Sequence, residues 1–232
     1  MSRFGRVILS VGILVIAALA VVSCASVSVQ DGTSQATQQM PGLIYVMPFG
    51  TAGGDWQVDR TGKDLADFKQ NLQAMLQAAM VADLCDRLVP AVNGKSSDAS
   101  LHRAAWLVRG QFVTVNQGSR LLRGAVGFGA GGTKVETHVE VYDLLSGSDK
   151  PFLTFSTTGG SGAEPGAVLG LTTDPLQLAV GAVSGVAHGL SEDTKRTARM
   201  TTAAFSDYMF HHHWIPEDKW IQPKRQEAGS IW

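Results

Sequence analysis

The feature that most constrains this 232-residue chain is an apolar run near its N-terminus that stops just before a cysteine. Arg3 and Arg6 precede the run, which extends from Val7 to Val22. It is shorter than the ~20 apolar residues that a helix needs to cross a bilayer. The combination predicts a secretion signal over residues 1–23 and a folded protein that lies entirely beyond it.

The end of the run, Val21-Val22-Ser23-Cys24, resembles the lipobox of bacterial lipoproteins. This resemblance implies that the Cys24 sulfur receives a diacylglyceryl group and that cleavage then makes Cys24 the N-terminus, anchored by acyl chains. A plain secretory signal with an incidental cysteine is the alternative. Ala25 follows, where such lipoproteins carry Asp when they stay in the inner membrane. The resemblance therefore implies a lipid-anchored, periplasm-facing protein of the outer membrane.

The residues after the signal predict a tether and then one α+β domain. Residues 24–42 are polar, without periodicity, and as a coil would span roughly 20–25 Å. Residues 43–162 predict a mostly antiparallel sheet packed on a long helix, and residues 163–232 a glycine-rich loop, C-terminal helices and a tryptophan-rich tail. The predicted elements are strands at Leu43–Phe49, Trp106–Val115, Thr133–Leu145 and Phe152–Thr157, and helices from Thr61 to Pro90, from Asp174-Pro175, and over Ser191–His212.

Two sets of glycines are candidate interaction or packing sites. The first, Gly127, Gly129 and Gly131, lies in a Gly-x-Gly-x-x-Gly string, but the alternating pattern that follows predicts a strand and not the helix that a dinucleotide site requires. These glycines are therefore interpreted as a strand-linking loop. The second set falls at spacing four on one predicted helix face, which indicates close packing within the protein or against another copy: Gly181, Gly185 and Gly189.

The residues that invite catalytic or metal-binding interpretations lack the context for either. Ser161 sits in a near match to a nucleophile elbow whose last glycine is alanine. Three consecutive histidines, 211–213, diverge by about 100° per residue on a helix and do not converge on one ion. Cys85 lies in an apolar helical pattern and is interpreted as a buried thiol. We expect no enzyme activity, cofactor, metal or small-molecule substrate.

Charge argues against a nucleic-acid partner. The chain has 19 Lys and Arg against 20 Asp and Glu, and removing Arg3 and Arg6 with the signal leaves 17 against 20. The mature protein therefore carries a small net negative charge, without the basic excess that phosphate backbones select.

One string resembles an uncharacterised domain-of-unknown-function family of Gram-negative lipoproteins. It comprises Gly118-Ser-Arg-Leu-Leu-Arg123, Gly127-Phe-Gly-Ala-Gly131 and the alternating Val135–Asp143, and the match is strongest over Leu107–Gly162. More remotely, the Val46–Phe49 strand and the element order resemble lipoprotein activators of penicillin-binding proteins and the curli secretion channel. The resemblance implies an envelope lipoprotein with a protein partner or a homo-oligomeric state. We expect a non-enzymatic binding or assembly accessory of an envelope complex; the alternative is a subunit of an outer-membrane secretion or export channel.

Overall fold

A computed structural model describes residues 26–31, 39–118, 132–160 and 188–223 of the chain. In the described residues, the chain forms seven strands and two α-helices. In chain order they are β1 (Ser26–Asp31), β2 (Leu43–Val46), β3 (Asp55–Gln57), α1 (Gly62–Arg87), β4 (Ala91–Asn93), β5 (Ala105–Asn116), β6 (Lys134–Asp143), β7 (Leu153–Gly160) and α2 (His188–His211). Short 3-10 turns occupy Ser96–Ser100 and Glu217–Lys219.

The strands form one mixed sheet in the order β1-β7-β6-β5-β2-β4, with β3 also paired to β5. The long neighbours β1, β7, β6 and β5 are antiparallel. The short strands β2 and β3 run parallel to β5, and β4 runs parallel to β2 across the helical connection α1. This arrangement confirms the α+β class and the mostly antiparallel sheet that the sequence predicts.

Helix α1 follows from its apolar periodicity. Thr61 occupies the N-cap position that its Thr-x-x-Asp spacing predicts, although its side chain makes no capping hydrogen bond. The buried stripe faces the sheet and comprises Phe68, Leu72, Met75, Leu76, Ala79, Met80 and Leu84. Each large side chain contributes about 1.5–3 kcal/mol through burial.

The interpretation of Cys85 as a buried thiol is wrong, because the residue is exposed. Leu84 ends the buried stripe of α1, and the next residue is rotated by about 100° around the helix axis, away from the core. The Cys85 sulfur instead contacts the start of β4, 3.2 Å from the Ala91 nitrogen and 3.3 Å from its carbonyl oxygen.

Helix α2 completes the same hydrophobic core. Its Phe205 packs edge-on against Trp106 of β5, with ring centroids 5.7 Å apart, and against Phe155 of β7 at 5.8 Å. Tyr208 of α2 and Trp214, which follows the helix, close the other sides of Trp106. The core that the strands and α1 form therefore also includes residues of α2, which lies in the predicted C-terminal region.

The predicted flexible tether over residues 24–42 is wrong for its first part. Residues Ser26–Asp31 form β1, paired along their whole length with β7 from Thr158 back to Leu153. The sequence Ser26-Val27-Ser28-Val29 alternates polar and apolar residues with the period of a strand, which is compatible with this pairing.

The first two tryptophans of the tail contact protein. The Trp220 ring stacks on Phe210 at a centroid distance of 4.5 Å, and its indole nitrogen donates to Asp207 Oδ1 at 3.1 Å. Ser206 of α2 ties the tail down further, since its hydroxyl donates to the Lys219 carbonyl and accepts from the Ile221 N–H. In the part of the chain that the structure describes, no helix is both long and apolar enough to cross a membrane.

Candidate functional site on the open face of the sheet

The two faces of the sheet have different surroundings. One face packs against both helices and supplies the main core, including Val108, Val139 and Phe155. The opposite face carries the alternate residues of β5, β6 and β7, and those from Arg109 onward on β5, along β6 and from Thr154 to Thr158 on β7 are half-buried or exposed. Among the described residues, neither helix packs on this second face. We call the outward-facing set on β5 and β6 the polar strip: Arg109, Gln111, Val113, Glu136, His138 and Glu140.

Hydrogen bonds and ring contacts order the polar strip. Tyr142 donates its hydroxyl to Glu140 Oε2 at 2.8 Å, and the Arg109 guanidinium lies 5.1 Å from the centre of the Tyr142 ring. His138 Nε2 lies 4.0 Å from Glu140 Oε1, and its Nδ1 lies 3.5 Å from the Ser156 hydroxyl on β7. Cross-strand neighbours of opposite charge, such as Arg109 and Glu140, stabilise the pairing of β5 with β6.

Two groups on this face have shifted pKa values. Partial burial alone would raise the pKa of Glu136, but hydrogen bonds from Lys134 and Thr114 and the charge of Lys134 outweigh burial and lower that pKa. Burial raises the pKa of Tyr142, and the hydrogen bond that it donates to Glu140 raises it further. Glu136 is therefore ionised and Tyr142 is a neutral donor at neutral pH, so the strip offers both acceptors and donors to a ligand.

A β-bulge places an apolar side chain in the polar strip. The register of β5 against β6 shifts between Phe112 and Thr114, which leaves Val113 as the extra residue. Val113 is 43% exposed, and the only other large hydrophobic residue that is comparably exposed in the described chain is Val92 at 40%. Bulges redirect side chains in this way at functional positions.

The remainder of the outward face is covered. A second apolar cluster forms there from Tyr45, Ala105, Leu107 and Leu144, with Leu43, Met47, Ala99 and Leu101 packed against it. The segment that includes the first 3-10 turn supplies this cover, and Arg103 donates from Nη1 to the Tyr45 hydroxyl at 2.9 Å. The accessible part of the outward face is therefore the polar strip and its β7 neighbours.

A buried polar junction lies on the inner side, where the start of α2 meets β7. Asp193 is fully buried, and its Oδ1 accepts from Arg196 Nη1 at 3.1 Å. Arg196 also donates to the Gly160 carbonyl at 2.9 Å. Burial raises the pKa of Asp193 to about 6, against the opposing effects of the Thr133 hydrogen bond and the Arg196 charge. Within the described residues, Asp193 Oδ2 and the Thr197 hydroxyl have no hydrogen-bond partner.

Glycine permits the close approach at this junction. A Cβ on Gly159 would lie 2.3 Å from the Asp193 carbonyl oxygen and 2.8 Å from the Thr197 hydroxyl. Gly189, a candidate packing residue, lies in α2 itself, where a Cβ would come within 2.8 Å of the Thr133 side chain. Both glycines let the first turns of α2 lie directly on the sheet.

The other candidate residues are distributed as follows. Cys24, Gly127, Gly129, Gly131, Gly181 and Gly185 lie outside the described residues, as do Ser161 and the helix predicted from Asp174. The three histidines lie at the end of α2, where His211 Nδ1 contacts the Asp207 carbonyl at 2.8 Å and His212 stacks on Tyr208. No group of three potential metal ligands comes together within the described ranges.

From the sequence alone, the polar strip is predicted only as the solvent-exposed side of one alternating strand. The Glu136, His138 and Glu140 alternation signals an exposed face, but the bulge at Val113 has no signal in a single sequence. The Asp193 junction was also missed, because an aspartate near the start of a helix is ordinarily a solvated residue that interacts with the helix dipole.

One family model matches residues 22–182, and its description is "Domain of unknown function (DUF4410)". No curated protein matches the chain. Among solved structures, the PelC dodecamer from Paraburkholderia phytofirmans is similar at 10% identity and a TM-score of 0.35, covering 75% of this chain and 97% of that one. Lipoprotein GNA1162 from Neisseria meningitidis is similar at 12% identity and a TM-score of 0.32, covering 62% of this chain and 95% of that one. At such TM-scores we draw nothing from either likeness.

Proposed function

This chain belongs to the DUF4410 family, and from that premise we propose that it is an outer-membrane-anchored, periplasm-facing lipoprotein that acts by binding. Its role is that of an accessory or assembly factor of an envelope complex. The Val21-Val22-Ser23-Cys24 junction supports the lipid anchor, and Ala25 after it supports the outer-membrane location. The proposed role needs an accessible surface and no catalytic group.

The observation that carries this proposal is the exposed polar strip with Val113 at its bulge. An apolar side chain surrounded by ordered donors and acceptors is the arrangement of a small protein-binding patch, in which a desolvated centre is bordered by polar contacts. The groups of the strip are held in place by Tyr142, Ser156 and Lys134, so little side-chain entropy is lost on binding.

The test is photo-crosslinking in intact cells from a benzoylphenylalanine placed at Val113. Val92 is the matched control, because it is exposed to a similar extent but lies on the edge strand β4, two strands away from β5. We expect an envelope protein to crosslink from position 113 and not from position 92. The substitution Glu140→Lys, which reverses a charge in the strip, should reduce that crosslink severalfold.

Two outcomes would contradict the accessory role. Crosslinks from position 113 exclusively to other copies of this chain would favour the alternative, a subunit of an oligomeric secretion or export channel. Equal crosslinking from positions 113 and 92 would show that the strip has no specific partner.

A further inference from the structure

Two arginines on the outward face of the sheet each lie against a tyrosine. The Arg103 guanidinium donates from Nη1 to the Tyr45 hydroxyl at 2.9 Å and lies 5.8 Å from the centre of that ring. The Arg109 guanidinium lies 5.1 Å from the centre of the Tyr142 ring. Both arginines are exposed, whereas Tyr45 is buried and Tyr142 is half-buried. The two tyrosines therefore hold two guanidinium groups at the surface, through ring contacts that favour a cation. We call Arg103 and Arg109 the arginine pair.

The register of the sheet places the two supporting tyrosines in one row. Tyr45 of β2 pairs with Leu107 of β5, and Leu107 pairs with Tyr142 of β6. Neighbouring strands lie ~4.8 Å apart, so the two tyrosine backbones are about 10 Å apart. All three side chains belong to the apolar cluster on the outward face. The sheet therefore fixes the spacing of the rings against which the arginine pair lies.

Neither member of the arginine pair forms an ion pair with a carboxylate of the described residues. Glu140, which is the cross-strand neighbour of Arg109, instead accepts the Tyr142 hydroxyl at 2.8 Å. Other cations of the described chain do have a carboxylate partner: Lys63 with Asp67, Arg87 with Asp83, Lys134 with Glu136, Lys195 with Glu192 and Arg196 with Asp193. The arginine pair therefore presents two exposed positive charges that remain available to a ligand.

We propose that the arginine pair anchors the partner that binds the outward face, and that each guanidinium receives a carboxylate from an acidic segment of that partner. This inference rests on the proposed binding function and adds the chemistry of the partner to it. A guanidinium presents its donors in a planar fork that fits a carboxylate through two parallel hydrogen bonds. Arginine and tyrosine are also enriched among the residues that dominate the affinity of protein–protein interfaces.

The neighbours of Arg109 favour a protein segment over a ligand that carries only phosphate. Arg109, Gln111 and Val113 are exposed at every second position of β5, so they succeed one another at about 7 Å. Met47, which donates its N–H to the Val108 carbonyl beside Arg109, is half-buried. An extended acidic segment with apolar residues can bond Arg109 and Gln111 and also cover Val113 and Met47. A phosphate group would use the positive charge alone.

Glu140 positions the anchor and does not compete with it. Its carboxylate accepts the Tyr142 hydroxyl and so orients the ring on which Arg109 lies. A lysine at position 140 would remove this acceptor, and its ammonium group would repel the Arg109 guanidinium. The loss of crosslinking expected for Glu140→Lys therefore follows from the position of Arg109, although the substitution adds a positive charge to the face.

The experiment uses the crosslink from benzoylphenylalanine at position 113 of the full-length protein in intact cells, with yields normalised to the amount of protein. Arg103→Gln and Arg109→Gln should each reduce the yield severalfold, and the double variant should reduce it further. Arg109→Lys keeps the charge but loses the planar fork, so we expect an intermediate yield. Arg60→Gln is the matched control, because the Arg60 guanidinium also lies over a ring, 4.5 Å from the centre of Phe68, but that ring belongs to the core beneath α1. Its yield should equal that of wild type.

A charge exchange separates recognition from a loss of stability. Mass spectrometry of the crosslinked product identifies the partner segment, which we expect to contain Asp or Glu. Replacing those acidic residues by Lys should reduce the crosslink to wild-type protein severalfold. The same partner variant should regain the crosslink when it meets Arg103→Glu/Arg109→Glu, a recovery that a destabilised protein does not show.

The possible failures are distinguishable. A wild-type yield in the double Arg→Gln variant, or a crosslinked segment without Asp or Glu, would overturn this inference and leave the proposed function intact. A crosslink to lipopolysaccharide instead of a protein would identify phosphate as the ligand and would overturn the acidic segment. The absence of any crosslink from position 113 in wild-type protein would overturn the proposed function, and this inference with it.

Discussion

At the scale of single residues, the junction of Asp193 with β7 combines close packing and an unfavourable charge. The carboxyl group is fully buried, and one of its oxygens is bonded by Arg196, a side chain that is itself only partly buried. Because Gly159 has no side chain, the helix approaches so closely that Asp193 is enclosed between α2 and the sheet. Burying an incompletely paired carboxylate disfavours its ionised form, which explains why its pKa is raised to about 6.

This raised pKa predicts a pH dependence of stability. The pKa of Asp193 in the folded protein lies above the ordinary aspartate value of 3.8, so protonation of Asp193 stabilises the fold. This stabilisation is fully present below about pH 4 and is lost as pH rises through about 6. Wild-type protein should therefore gain on the order of 1 kcal/mol of unfolding free energy from Asp193 between pH 7.5 and pH 5. Asp193→Asn should lack this gain. Urea unfolding of detergent-purified protein at the two pH values measures it, and identical pH dependence in both proteins would contradict the assignment.

At the scale of elements, the sequence predicted what is long and periodic. The apolar stripe of α1 and the alternation of β6 each repeat over enough residues to identify a helix and a strand. Thr61 marks the start of α1, and the predicted ends of α1 and β6 lie within a few residues of the observed ones. Strands β3 and β4 have three residues each, too few for any period to emerge. Their parallel pairing with β5 and β2 depends on contacts that are distant in sequence.

Strand β1 is another element that the sequence alone does not identify. Its serine-rich composition is also typical of a linker, and only the pairing with β7, far along the chain, makes it a strand. Proline substitution distinguishes a paired strand from a flexible linker at these residues. In an antiparallel edge strand, successive N–H groups alternate between the neighbouring strand and the free edge. Of Val27→Pro and Ser28→Pro, one should therefore lower the unfolding free energy by roughly 1 kcal/mol or more, through the lost hydrogen bond, and the other should have little effect.

Urea unfolding of the two proline variants beside wild type provides the measurement. A difference between adjacent positions is specific to a paired strand. Two variants that both unfold at the wild-type urea concentration would show that residues 26–31 behave as the flexible tether that composition suggests.

At the scale of the whole molecule, both helices lie on one side of the sheet and the polar strip lies on the other. Helix α2 contributes Phe205 and Met209 to the core that β5, β7 and α1 also build, so removing the C-terminal part would expose that core. The polar strip is predictable from the sequence only in part. The alternation in β6 indicates the solvent-exposed face of the sheet, but it does not indicate which part of that face the segment around Leu101 covers.

The proposed lipid anchor would determine where this molecule works, and the proposal assigns that anchor to Cys24. Cys24→Ser removes the sulfur that the proposal assigns to the diacylglyceryl group, so we expect labelled palmitate incorporation to vanish and the protein to disappear from the outer-membrane fraction. Cys85→Ser is the matched control, because it removes the other cysteine and should leave palmitate incorporation unchanged. Ala25→Asp should keep the label but move the protein to the inner-membrane fraction, which separates loss of the anchor from loss of sorting. Palmitate that persists in Cys24→Ser would show that the anchor lies elsewhere.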